Sequence, residues 1–147
     1  MSKEISRHEI RKMALQALFP LDFNQDLSKQ DAIFHAIELE HHEIIDEEQE
    51  NFVPAYLDLL VGGVCEKKAE LDEMIQQHLK KGWSIQRLSK MDVTILRIAI
   101  FEMLYVDDVP NKVVLNEAIE LAKTFSDDQS RKFVNGVLST INNELTA

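Results

Sequence analysis

The 147-residue chain is 45% hydrophobic and 29% charged, an ordinary globular composition for a domain able to bury a real core. Four Gly and three Pro are too few turn residues for an all-β sandwich, and a single Cys excludes an internal disulfide. No apolar run is long enough to span a bilayer, so a cytoplasmic protein is expected, and a net charge of −10 argues against nucleic acid unless a local basic face exists.

Helix signals begin at once. Ser6 and Glu9 have capping-box spacing, and Ile10, Met13, Ala14, Ala17 and Leu18 then follow the spacing of a buried helical stripe. Pro20 disfavours the α conformation at Phe19 and is expected to end this first helix there. Ser28 with Asp31 marks a second start, with Ile33, Phe34 and Ile37 as its apolar face. The acidic stretch over 43–50 reads as a loop or as the solvated opening of a third helix.

From about Glu50 to Lys80 the pattern stays helical, interrupted by Gly62-Gly63, which reads as close packing or a kink. Lys80, Lys81 and Gly82 resemble a helix end, with cations in the last turn and then glycine. Ser84 opens a short turn to Leu88. Ser89 and Asp92 start a helix whose Ile95, Leu96, Ile98, Ala99, Phe101 and Met103 leave almost no polar side, the mark of a central element. Pro110 sits near another start, followed by Val114, Leu115, Ala118, Ile119 and Ala122. Ser126 with Gln129 suggests a capping box for the last helix.

That last helix contains Asn135-Gly136 between apolar residues, a strong hairpin signal. A lone hairpin in a helical chain has no sheet to join, and Phe133, Val134, Val137, Leu138 and Ile141 fit one helical face, so the helical reading is preferred. The whole pattern predicts one all-α domain over 1–147 with six or seven helices.

Catalytic chemistry finds little support. Glu38-x-x-His41 has a spacing used in di-iron bundles, but no second copy exists, and solvated charge explains it better. Cys65 lacks an orienting group and reads as a small hydrophobe. There is no glycine-rich phosphate loop. The basic first helix offers more. His8, Lys12 and Phe19 share one side of a helical wheel, flanked by Arg7 and Arg11. Cations beside an exposed aromatic suit single-stranded RNA, with phosphate on the charges and a base on the ring, although a plain solvated basic face would look the same. A second such grouping is Lys123, Phe125, Arg131, Lys132 and Phe133, whose aromatics could equally belong to the core.

The stretch DVPNKVVLNEAIELAKTFSDDQSRKFVNGVLSTI over 108–141 resembles the C-terminal signature of the NusB family of transcription antitermination factors. SRHEIRKMALQALF over 6–19 is similar to that family's basic first helix, and MDVTILRIAIFEMLY over 91–105 to its central helix. The resemblance implies an all-α fold of two small helical bundles and a role without enzymatic activity, cofactor, metal or membrane. It implies pairing with the small-subunit ribosomal protein that doubles as NusE, and joint binding of boxA RNA. It also implies an RNA polymerase complex that reads through terminators, chiefly on ribosomal RNA operons. It implies that the free protein is a monomer or a dimer.

Carried onto matching positions, the resemblance assigns RNA contacts to Arg7, His8, Arg11 and Phe19, with Lys12 added from the helical wheel. It assigns others to Phe125, Gln129, Lys132 and Phe133, and a weaker one to Asp92. Asn135-Gly136 is assigned to close packing. The family often has consecutive arginines where this chain has Arg7-His8-Glu9, which implies weaker intrinsic RNA binding and more reliance on the partner. Two alternatives stay open. One is an RNA-recognition unit similar to that of ribosomal RNA cytosine methyltransferases, which would need another polypeptide for methyl transfer. The other is a protein scaffold without RNA contact.

Overall fold

The computed structural model describes residues 5–40 and 53–146. The expectations for 43–50 and for His41 lie outside those residues. The described chain is all helical: α1 Arg7–Leu21, α2 Lys29–Glu40, α3 Ala55–Gln77, α4 Lys90–Tyr105, α5 Asn111–Phe125 and α6 Asp128–Leu145, with a 3₁₀ turn at Ile85–Arg87. It divides into two compact units, one up to Cys65 and one from Glu66 onward.

In the first unit α1 packs on α2. Ser6 caps α1, its hydroxyl accepting from the Glu9 N–H at 3.1 Å, and Ser28 accepts from the Asp31 N–H at the same distance. Each cap satisfies one of the N–H groups that a helix start leaves open. Ile10, Met13, Ala14, Leu15, Ala17 and Leu18 of α1 are buried, as are Ala32, Ile33, Ala36 and Ile37 of α2.

Two expectations need correction here. Phe34 is 37% exposed, and the alanines at 32 and 36 take the inner positions that close helix approach favours. Pro20 lies inside α1, which runs on to Leu21. In the last turn proline removes a single N–H. The Asp22 N–H reaches the Phe19 carbonyl at 3.2 Å and the Phe23 N–H the Pro20 carbonyl at 3.0 Å, so the helix end stays satisfied.

α3 runs unbroken through Gly62-Gly63, and a Cβ at Gly62 would meet nothing within 4 Å, so close packing does not explain that glycine. The helix ends at Gln77, earlier than the Lys80-Lys81-Gly82 stop predicted. The His78 and Leu79 N–H groups bond back to Ile75 and Gln76 in a tightened last turn. Gly82, at φ +91°, then turns the chain in the left-handed region where glycine is favoured.

In the second unit α4 is the central element, packed on α5 and α6, which also pack on each other. Every residue from Asp92 to Glu102 is buried, as the nearly all-apolar sequence requires. Ser89 caps α4 through the Asp92 N–H at 3.0 Å, and Pro110 stands at the N-cap of α5, where a missing N–H costs nothing. α6 turns Val134, Val137, Leu138 and Ile141 inward. Asn135 and Gly136 are helical and exposed. A Cβ at Gly136 would meet nothing within 4 Å, so the close packing expected of that pair is absent.

Candidate nucleic-acid interface

The expected contact residues fall into two patches, one in each unit. On α1, Arg7 and His8 are exposed, and Lys12 and Phe19 are half-buried. His8, Lys12 and Phe19 follow one another at i, i+4 and i+11, which keeps them on one strip of the helix. Arg7 stands at the first helical position with its guanidinium carbon 4.1 Å from the Tyr56 ring centroid, a geometry that fixes the cation's direction. Phe19 meets Phe23, their ring centroids 5.0 Å apart and the rings tilted by 59°. Phe23 is 63% exposed and was not foreseen as a site residue. Its signal is an aromatic lodged among turn residues, in Leu21-Asp22-Phe23-Asn24, where no helical stripe can bury it.

Arg11 does not join that strip. It is 3% exposed, on the same side of α1 as the buried Leu15 and Leu18. Its spacing of four and seven residues from those leucines turns it inward, so it is a buried cation rather than part of the basic face.

The second patch forms at the end of α5 and the first turns of α6. Phe125 and Phe133 are half-buried, and Gln129 and Lys132 are exposed. The cap of α6 differs from the sequence expectation. Asp127, not Ser126, accepts from the Ser130 N–H, at 2.8 Å. Ser126 closes α5 instead, and its hydroxyl donates to the Ser130 Oγ at 2.7 Å. Lys123 and Arg131 each stand 3.6 Å from an acid on their own helix, Glu120 and Asp128. Among the described residues, Lys132 has no ion-pair partner.

Asp92 is 8% exposed at the first turn of α4. Its Oδ2 accepts from the Ser130 hydroxyl at 3.1 Å, tying α4 to α6. Its Oδ1 is buried without a partner among the described residues. Burial pushes its carboxyl above the usual carboxylate range and the Asp127 charge adds to this, against the opposing Ser130 and Ser89 hydroxyls.

Two hollows flank Phe133. One is a groove of about 640 Å³ walled by Leu79, Trp83, Leu88 and Phe133, with Lys80 and Lys132 also lining it. The other, about 380 Å³, is polar and includes Arg87, Ser89, Asp92, Gln129 and Ser130. Trp83 lines both. It too escaped the sequence reading, though it is the only Trp in the chain and directly follows Lys80-Lys81-Gly82.

The NusB family pattern matches residues 8–143 of the chain. The chain belongs to the NusB family. A transcription antitermination protein NusB of Enterococcus faecalis is 66% identical over 99% of this chain and 95% of its own length. That of Lactiplantibacillus plantarum is 50% identical over 93% and 94%. Among solved structures, Thermotoga maritima NusB (T. maritima) superposes with a TM-score of 0.80 at 31% identity, covering 97% of this chain and 94% of that one. A crystal structure of the antitermination factors NusB and NusE in complex with double-stranded RNA superposes at 0.76 with 25% identity, covering 94% and 96%. With the family in hand, the helical architecture read from the sequence is that of its solved members. Among the described residues, no helix is long and apolar enough to cross a membrane.

Proposed function

We propose that this chain is a transcription antitermination factor without enzymatic activity that binds boxA-type single-stranded RNA jointly with a NusE-type ribosomal protein. The pair then promotes read-through by RNA polymerase, chiefly on ribosomal RNA operons, in the cytoplasm. The observation that carries the reading is the family membership, with 66% identity to a named antitermination protein across nearly the whole chain. Support for RNA comes from the residues themselves. Each unit presents cations beside a part-exposed aromatic: Arg7, His8, Lys12 and Phe19 in one, Lys132 and Phe133 with Gln129 and Phe125 in the other.

Part-exposed rings favour unpaired bases over duplex, because bases in an A-form helix are already stacked on one another. The chain's net charge of −10 repels RNA away from the basic patches and attracts a basic ribosomal protein, which adds positive charge to the pair. Loss of Arg11 from the basic face leaves less intrinsic affinity in this chain and a larger share to the partner.

The test is fluorescence anisotropy with an end-labelled boxA-type RNA, a scrambled RNA and a duplex of the same length, at fixed salt. The pair is expected to bind the boxA-type strand more tightly than either control, and the isolated chain to bind it more weakly than the pair. Equal affinity for the scrambled strand would reject the specificity.

A further inference from the structure

We propose that the groove between Trp83 and Phe133 is a nucleotide-binding site in which an unpaired base stacks on Trp83. This rests on the RNA reading above and extends it to a tryptophan that no family motif brought forward. Trp83 is 47% exposed, so a large part of its ring is available for contact.

Its turn is held in place before any ligand arrives. The Gln76 side chain spans it, Nε2 donating to the Trp83 carbonyl at 3.1 Å while Oε1 accepts from the Ile85 N–H at 2.9 Å. The Trp83 N–H donates to the Lys80 carbonyl at 3.0 Å, and Arg87 Nη1 to the Gly82 carbonyl at 3.3 Å. The Arg87 guanidinium carbon also lies 4.8 Å from the Trp83 ring centroid. Arg87 lines the polar hollow and is not among the groove's walls, so it does not fill the groove where a ligand would sit. A prepaid geometry of this kind lowers the ordering cost of binding.

The groove's chemistry selects the occupant. Its walls are aromatic and aliphatic, while Lys80 and Lys132 supply positive charge in a chain that is strongly acidic overall. Neither lysine has an ion-pair partner among the described residues. An apolar peptide would leave both cations uncompensated. A nucleotide satisfies both features, base on the rings and phosphate at the lysines. The exposed Gly136 lines the groove, and the lack of a side chain there keeps it open beside Phe133. The site also continues from Lys132 and Phe133, which the RNA reading already uses.

Because Trp83 is the only Trp, its emission reports this site alone in the chain. The experiment titrates the boxA-type RNA into the complex with the NusE-type protein, following labelled-RNA anisotropy and Trp emission together, with the Trp83→Leu complex as the emission blank. The expected result is saturable quenching with the same midpoint as the anisotropy. Trp83→Leu is expected to weaken RNA binding about ten-fold at an unchanged melting temperature, with Trp83→Phe restoring most of it. Flat emission while anisotropy saturates, or unchanged affinity in Trp83→Leu, overturns the inference and leaves the RNA function standing. Absence of RNA binding by the wild-type pair overturns both.

Discussion

Arg97 on α4 and Asp72 on α3 form a two-pronged ion pair, Nε to Oδ1 at 2.7 Å and Nη2 to Oδ2 at 3.0 Å. Arg97 is 5% exposed, so its charge is withdrawn from water, and the Asp72 carboxylate compensates it through two bonds. The parallel fork geometry makes the pair stronger than a point contact and fixes how α4 meets the second half of α3 within the unit.

The two partners are therefore not equivalent. Asp72→Ala strips the bidentate acceptor from a buried cation and is expected to cost about 3 kcal/mol of unfolding free energy. Arg97→Met removes the cation and keeps much of the volume, so it is expected to cost clearly less. Urea denaturation of both variants checks the order; a larger loss in Arg97→Met would show that the guanidinium acts through packing instead.

Asp92 gives a pH prediction of unusual sign. Its carboxyl is raised by burial, so the folded protein holds that proton more tightly than the unfolded chain does. Its contribution to stability is greatest below the unfolded value, near 3.8, and is lost as pH rises through the folded one. At neutral pH the buried charge is a net burden. Asp92→Asn keeps an acceptor for the Ser130 hydroxyl and removes the charge. It is expected to melt at or above the wild type at about pH 7, with the difference shrinking as pH falls toward that of the raised carboxyl. A drop in melting temperature of more than about 3 °C at neutral pH, roughly 1 kcal/mol for a chain of this size, would assign Asp92 a stabilising charge instead.

How much of this was legible in the sequence depends on the range of the interaction involved. Caps at Ser6, Ser28 and Ser89 are local events within three residues, and each forms as its spacing predicts. The cap of α6 was misread because Ser126, Asp127 and Gln129 offer two overlapping signals. Asp127 takes the Ser130 N–H while the Ser126 hydroxyl turns to Ser130 Oγ, whose own hydroxyl reaches Asp92 on α4, a long-range contact that no local spacing announces. For Arg11, a wheel places the residue beside Arg7, but its burial depends on how wide the buried face of α1 becomes, which is set by what packs against it. Trp83 was passed over because it sits in a turn, where no period says which way a side chain faces.

His78, the residue after the end of α3, reaches α6, and its protonation state follows from its partners. Nδ1 lies 2.7 Å from the Met74 carbonyl, which can only accept, and Nε2 faces the Glu144 carboxylate, which accepts when ionised. Both ring nitrogens must donate, so the imidazolium fits the site. Burial lowers the imidazole's value, but the Glu144 hydrogen bond, the Met74 carbonyl and the Glu144 charge outweigh it and hold the group above the ordinary 6.5. The stabilisation is then complete below 6.5 and fades as pH rises through the folded value. Melting curves are expected to show the wild type losing stability toward alkaline pH faster than His78→Gln. An NMR titration of the imidazole is expected to move back toward the ordinary value in Glu144→Gln. An unmoved titration in that variant would remove Glu144 as the cause. Lys80 and Lys132 line the same groove as His78 and would oppose its charge, so the shift is expected to grow when either lysine is neutralised.

The α1 strip separates electrostatic from structural arginines and lysines. Lys12 lies on the same strip as His8 and Phe19, and its reversal in Lys12→Glu leaves the core untouched. RNA binding by the NusE-type pair is expected to weaken for all sequences alike, and its dependence on log salt to flatten by about one phosphate contact. The melting temperature is expected to stay near wild type. Arg11→Ala is expected to do the reverse. It removes a buried cation from the helix that packs on α2, so it lowers the melting temperature while leaving the salt slope of RNA binding unchanged. A flattened salt slope in Arg11→Ala at full stability would place its guanidinium on phosphate after all, and would mean that α1 exposes it when RNA binds.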